Sequence, residues 1–176
     1  VTIAGTYRGK TKFVIPNEVV REQIFKYLLD TYDENGLSVD EMKQDDLEGG
    51  LAYDGEWKPY FQNIADTIYN YSSQRDKQKG ESFVHGFTLA MTCQNQFYRP
   101  ISEYPNQEGY ADIFLLPLVD IYTDMLHSYV IELKYVKSNV SDAEVEAKRQ
   151  EAREQVLRYA DTELVKMGVK STQLHK

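Results

Sequence analysis

The stretch Tyr129–Lys137, YVIELKYVK, decides how this chain is read. Six of its residues suit a buried β-strand, yet Glu132 and Lys134 interrupt them two positions apart. A strand has a side-chain period of two, so both fall on one face. An acid and a base on one face of an apolar strand form either an ordinary solvated ion pair or part of a site.

The segment just upstream bears on that choice. YADIFLL, residues 110–116, also reads as a strand, and the connection from Pro117 to His127 is centred on Tyr122. Folding back across that centre sets Asp112 opposite Glu132. Facing positions of an antiparallel pair have Cβ atoms about 4.5–5.5 Å apart, a separation at which like charges destabilise the hairpin. Apolar neighbours such as Phe114 and Val130 raise the cost. A divalent cation shared by the two carboxylates would offset it, with the Lys134 ammonium as a second positive charge. Hard cations of the Mg2+ type take carboxylate oxygens and are completed by water and substrate phosphates. Lys134 would orient an attacking water or stabilise charge that develops in the transition state.

Further outward, ESFVHGFTLAMTCQN (81–95) reads as a helix with Phe83, Phe87, Ala90 and Met91 as its apolar stripe. QFYRPISEY is extended and PNQEG is a turn. A long helix is expected from Asp142 to Met167, with Ser141 and Glu144 as a capping box and Gly168 as its stop. A further strand is expected to begin near Lys170. The order is α-β-β-β-α with a last strand cut short, an α+β core.

The first 76 residues read differently. GTYRGKTKFVIP resembles a phosphate loop only superficially, because Gly5 and Gly9 are separated by three residues rather than four and no helix follows. A turn or hairpin around Gly9 is the better reading. Asn17 caps a helix through about Tyr32, with Val20, Ile24, Tyr27, Leu28 and Thr31 at helical spacing. Ser38 and Glu41 open a short helix that ends at Gly49-Gly50. A third helix runs from about Glu56 to Ser73, with Phe61, Ile64, Ala65, Ile68 and Tyr69 on one side. The polar stretch SSQRDKQKGE is the best boundary, dividing a helical segment (1–76) from a second unit (77–176).

Composition narrows the function classes. The net charge is −8. Residues 1–76 carry 8 basic and 14 acidic side chains, and residues 77–176 carry 12 and 14. That balance argues against a tight, non-specific nucleic-acid binder made of this chain alone. The single cysteine, Cys93, excludes an internal disulfide, and it reads as a small buried hydrophobe. His85, His127 and His175 lie far apart, without metal-ligand spacing. No apolar run reaches the ~20 residues of a membrane helix, and no export signal is evident. A cytoplasmic protein with no membrane partner is expected.

GYAD followed by IELK resembles the motif of the PD-(D/E)xK nuclease superfamily, and EQVLRYAD resembles the Q-x-x-x-Y helix of its RecB-like members. The resemblance implies a restriction-endonuclease-like αβββαβ core and a Mg2+- or Mn2+-dependent phosphodiester hydrolase. Asp112, Glu132 and Lys134 would be catalytic, and Asp112 and Glu132 would hold the metal. Glu81 on the first core helix would assist, and Gln155 and Tyr159 would support Lys134 or contact the substrate backbone. The substrate would be nucleic acid, DNA favoured over RNA. GTYRGKTKFVIPNEVVREQIF, ESFVHGF and YVIELKY are similar to a branch from Bacteroides-type bacteria, in which such a domain follows an AAA-ATPase-like domain. The chain is therefore expected to be a piece of a longer protein, with the ATPase-like module upstream.

The residues depart from that pattern in two places. Ala111 stands where the motif has Pro, and NQEGYAD lacks the Arg that often approaches the Asp. Taken without the resemblance, Gln155 and Tyr159 read as a solvated Gln and a core-facing Tyr. Glu81 reads equally well as an acid favoured by a helix N-terminus. Two other classes stay open: an inactive nuclease fold that regulates the ATPase, and a helical interaction module that docks a basic partner through residues 17–76.

Overall fold

A computed structural model of the chain describes residues 2–7, 10–14, 17–34, 41–71, 80–106, 109–136, 139–160, 166, 169 and 171–176. A hairpin comes first. Its strands β1 (Thr2–Tyr7) and β2 (Lys10–Val14) form a separate antiparallel sheet, with an irregularity between Ile3 and Gly5. Gly9, read as the turn, lies outside the described residues. Helix α1 (Glu18–Glu34) follows, and Asn17 Oδ1 accepts the Val20 N–H at 3.0 Å, which makes it the N-cap that the sequence suggests. The apolar stripe assigned to this helix is not a buried one, for Tyr27 is 70% exposed and Leu28 also reaches solvent.

Helix α2 (Glu41–Gly49) does not stop at Gly49-Gly50 as expected. It widens into a π-helical turn, Gly50–Asp54, closed by Gly55 at φ +72°. Glycine is required there twice over. The positive φ disfavours any other residue, and a Cβ would sit 3.1 Å from the His127 ring. The turn drives Leu51 and Ala52 completely into the interior. The Leu51 carbonyl accepts the hydroxyls of Tyr129 at 2.7 Å and Tyr98 at 3.3 Å, so this helix end is bolted to the sheet by two phenols. Ser38, the other half of the expected capping box, lies outside the described residues.

Helix α3 (Trp57–Tyr71) is rotated relative to its expected stripe. Tyr60, Ile64 and Thr67 are buried and Phe61 and Ile68 are partly so, whereas Tyr69 is 76% exposed. Most of the polar stretch read as a boundary, residues 72–79, lies outside the described residues. Helix α4 (Glu81–Thr92) buries Phe83, Phe87, Ala90 and Met91 as its pattern requires, and ends three residues earlier than expected.

Strands β3 (Tyr98–Asn106), β4 (Gly109–Pro117) and β5 (His127–Ile131) form an antiparallel meander. Helix α5 (Asp142–Ala160) returns the chain, and β6 (Gln173–His175) pairs in parallel with β5. The sheet order is β3-β4-β5-β6. The α5 cap is formed, with Ser141 Oγ accepting the Glu144 N–H at 3.3 Å. The expected continuation of that helix to Met167 falls largely outside the described residues, as does Gly168. His175 Nε2 and His127 Nδ1 meet at 2.8 Å across the β5–β6 pair, and the His175 ring stacks on Tyr129.

Strand alternation divides the core into two layers. Ile113, Leu115 and Tyr129 pack with Leu51, Tyr60, Ile64, Phe87 and Met91 from the helices α2 to α4 and the π-turn. Phe114 and Val130 point the other way, against Val156, Tyr159 and Ala160 of α5. The α+β core expected from the element order is therefore the observed one, with helices on both faces of a mixed sheet.

Candidate active site at the end of the β4–β5 ladder

The ladder pairs Ile113 with Ile131, Phe114 with Val130 and Leu115 with Tyr129. One step further out in the same register, Asp112 faces Glu132. The connection is symmetric enough to give the register that the sequence suggests. The strand itself is shorter than expected, ending at Ile131 rather than running to Lys137. The reason lies in Asp112. Its Oδ2 accepts the Leu133 N–H at 2.7 Å, so a side chain takes over where main-chain pairing ends. That bond turns the Asp112 carboxylate toward the segment 132–134.

Glu132 carries the local tension. Its side chain is 6% exposed. Oε1 accepts the Lys134 ammonium at 2.7 Å, while Oε2 is buried with no hydrogen-bond partner among the described residues. Burial raises the Glu132 pKa; the Lys134 hydrogen bond opposes the rise and the Asp112 charge adds to it. For Lys134, burial works to lower the pKa, but the hydrogen bond and charge of Glu132, with the charges of Glu151 and Asp112, raise it on balance. The ammonium is therefore held charged among three acids, with Glu151 Oε1 at 3.7 Å.

Helix α5 lays a stripe over this point, because residues four apart share a face. Glu151 reaches Lys134, Gln155 has a buried Oε1 with no hydrogen-bond partner among the described residues, and Tyr159 is buried in the core layer beside Ala111 and Val130. Sequence reading named Gln155 and Tyr159 and missed Glu151; its position one turn before Gln155 was the available signal. It also missed His85. That imidazole lies on α4, with Nε2 3.2 Å from the Asp112 carbonyl oxygen and 3.3 Å from Ser102 Oγ. It ties the main chain at Asp112 to the helix on the opposite face of the sheet.

The structure brings together Asp112, Glu132 and Lys134, with Gln155 on the overlying helix. It does not bring Glu81 into that group. Glu81 is exposed in the first turn of α4, and no cluster of three or more His, Cys, Asp or Glu side chains fit to hold a metal occurs among the described residues. The two facing carboxylates nevertheless suit a hard divalent cation in chemistry, and Glu132 Oε2, buried with no hydrogen-bond partner among the described residues, is an acceptor that such an ion would satisfy.

A mixed sheet flanked by helices, with an acidic pair and a lysine at the end of its central ladder, defines a nuclease-type α+β protein. The chain belongs to the PD-(D/E)XK nuclease superfamily, whose family model matches residues 79–176, more than half its length. Searches of curated proteins and of solved structures gave no significant match.

Proposed function

We propose that the chain is a metal-dependent phosphodiester hydrolase acting on nucleic acid, DNA in preference to RNA. The observation that carries this reading is the convergence of Asp112 and Glu132 across β4–β5 beside the ammonium of Lys134. Asp112 and Glu132 would hold Mg2+ or Mn2+, which when bound lowers the pKa of a coordinated water and offsets charge on a phosphoryl oxygen. The Leu133 N–H fixes the orientation of the Asp112 carboxylate before substrate arrives. Lys134, kept protonated by its acidic neighbours, holds the attacking water or neutralises charge on the phosphoryl group as the transition state forms. Gln155 supplies a buried amide next to this point and steadies Lys134 or a backbone phosphate, with Tyr159 packing beneath it. Glu81 acts as an auxiliary metal ligand only in a rearrangement that carries it toward Asp112. An AAA-ATPase-like module in the same longer protein is the proposed partner.

A second reading is a nuclease fold without activity that serves as a recognition module. Two observations favour it. No cluster of three or more metal-ligating side chains forms among the described residues, and the chain carries a net charge of −8 where a nucleic-acid binder would carry a basic surface. Calorimetric titration of Mg2+ and Mn2+ into the wild type and Asp112→Ala, paired with cleavage of labelled DNA and RNA, separates the two. The hydrolase reading expects metal binding lost in Asp112→Ala and cleavage lowered about a hundredfold or more in Lys134→Ala. Metal binding without cleavage would move the protein to the second reading. Equal binding by both proteins would remove the metal site.

A further inference from the structure

A cavity of about 590 Å³ lies between helix α1, the turn that joins α4 to β3, and the connection after β4. Gln23 and Lys26, three apart on α1 and so on one face, form one side of it. Gln94 from the turn, Arg99 from β3, and Leu118 and Ile121 from the connection line the rest. No described residue of this lining is acidic, in a chain with 28 acidic and 20 basic side chains. The cavity is therefore a local reversal of sign, two cations set among carboxamides. Its floor is held in place by the protein itself. Asn95 Oδ1 accepts the Phe97 N–H at 2.8 Å, the Leu118 N–H donates to the Phe97 carbonyl at 3.0 Å, and the Tyr122 N–H donates to the Leu118 carbonyl at 2.9 Å. The last carbonyls of α4 would repel an anion, but those of Leu89, Met91 and Thr92 accept the N–H groups of Cys93, Gln94 and Asn95.

We infer that this cavity binds a phosphomonoester of mononucleotide size, the phosphate held by Lys26 and Arg99 and the base lying against Leu118 and Ile121. A guanidinium fork matches two phosphate oxygens at once, and an ammonium adds a point charge. Carboxamides such as Gln23 and Gln94 present a donor and an acceptor together, the combination that a base edge calls for. Ile121, 70% exposed, is an aliphatic surface open to a flat ring. The volume is that of a small-molecule site. The site is not the cleavage centre, because Arg99 pairs with Leu116, four residues along β4 from Asp112, or about 13 Å at the rise of a strand. Gln23 and Lys26 lie outside the 79–176 family match, so a ligand here would join α1 to the nuclease unit. A free nucleotide and the phosphorylated end of a strand share this chemistry, and the test separates them. The inference depends neither on metal binding nor on hydrolysis.

Calorimetric titration of the whole chain with AMP in EDTA, where no metal-dependent step occurs, is the test. Saturable binding is expected, with adenosine silent and inorganic phosphate weaker. Lys26→Ala and Arg99→Ala should each weaken AMP about tenfold, as the loss of a charge-assisted hydrogen bond implies. Lys58→Ala removes the same charge from α3, outside the cavity, and should leave AMP binding unchanged. AMP should also raise the unfolding temperature of the wild type but not of the variant carrying both cavity substitutions. Lys26 and Arg99 are exposed, so that variant should still fold. A terminally phosphorylated oligothymidylate that binds where AMP and the unphosphorylated strand do not assigns the site to a strand end, and AMP binding alone assigns it to a free nucleotide; either result satisfies the inference. No binding of either probe, AMP no tighter than inorganic phosphate, or Lys26→Ala and Arg99→Ala no weaker than Lys58→Ala overturns it. So does loss of AMP binding in Asp112→Ala, which would put the nucleotide in the candidate active site. AMP binding with no cleavage under any divalent ion would sink the hydrolase and spare this cavity. Metal-dependent cleavage with neither probe bound here would do the reverse.

Discussion

Two buried glutamates invite comparison. Glu132, at the end of the β4–β5 ladder, has a lysine at 2.7 Å and a second carboxylate across from it. Glu48, on α2, is 3% exposed and has neutral donors instead: Gln44 Nε2 at 3.2 Å and the Gln96 N–H at 3.4 Å. Burial pushes the Glu48 pKa up to about 7, with Gln44 and Gln96 opposing and Asp45 adding to the rise. Buried polar atoms without a partner among the described residues occur around both: Tyr60 Oη and Asn95 Nδ2 on the Glu48 side, and Glu132's own Oε2 with Gln155 Oε1 of α5 on the other. Burying an acid is thus not enough to make a site. At Glu48 burial is answered by a raised affinity for a proton, and at Glu132 by a neighbouring cation.

Removing that cation should have the largest effect. Lys134→Ala leaves Glu132 buried beside Asp112 without its partner, a change that typically costs about 3–5 kcal/mol when a buried pair is broken. The loss should be worst at pH 8 and shrink toward pH 5, because protonation of Glu132 relieves it. Denaturant unfolding at the two pH values checks this, and a loss independent of pH would mean that the ion pair contributes little. Lys134→Met should behave likewise, which distinguishes charge from packing. Cleavage should fall in both variants.

Glu48 should show the opposite dependence on a smaller scale. Its folded pKa of about 7 lies above the unfolded value near 4.5, so the folded state binds the proton more tightly. Its contribution to stability is fully present below about pH 4.5 and is lost as pH rises through about 7. The span corresponds to about 3 kcal/mol. Glu48→Gln, which keeps the shape and cannot ionise, should match the wild type near pH 4.5 and exceed it by about that amount at pH 8. Parallel stability curves for the two proteins across that range would show that Glu48 is solvated and the contrast with Glu132 false. Metal-dependent activity should be untouched by Glu48→Gln, in contrast to Asp112→Asn.

The register of the site was legible because it depends on local symmetry. A connection centred on Tyr122 and two unbroken apolar strands suffice to set Asp112 against Glu132, and the β4–β5 pairing follows that register. The end of β5 was not legible. Apolar and polar side chains keep alternating from Ile131 through Tyr135, and the Asp112–Leu133 hydrogen bond replaces the ladder. Glu151 was legible from helical spacing once Gln155 was named, being one turn before it. His85 was not, because it reaches Asp112 only through the packing of α4 on the sheet, a tertiary fact that helical periodicity does not encode. The π-turn after α2 was hidden too, since Gly49-Gly50 reads as a stop and the anchoring of Leu51 depends on two tyrosines 47 and 78 residues away.

The orphaned atoms offer the finest test, with the smallest expected changes. A buried donor or acceptor without a partner costs about 1–3 kcal/mol, so deleting it without altering shape should be neutral or stabilising. Tyr60→Phe removes a hydroxyl whose pKa is raised by burial and by the Glu48 charge. It should stabilise the fold by about 1 kcal/mol and leave activity as it was. Gln155→Met removes an unpartnered carbonyl under α5 and should give a similar gain. It should also slow cleavage, because an amide left unsatisfied at the ladder end is retained for its role toward Lys134 or substrate. If thermal unfolding and cleavage rates change alike in the two variants, the orphans at Glu132 and at Glu48 are of one kind. A gain in stability joined to a loss of rate, found only at Gln155, marks the ladder end as the place where this chain gives up stability for chemistry.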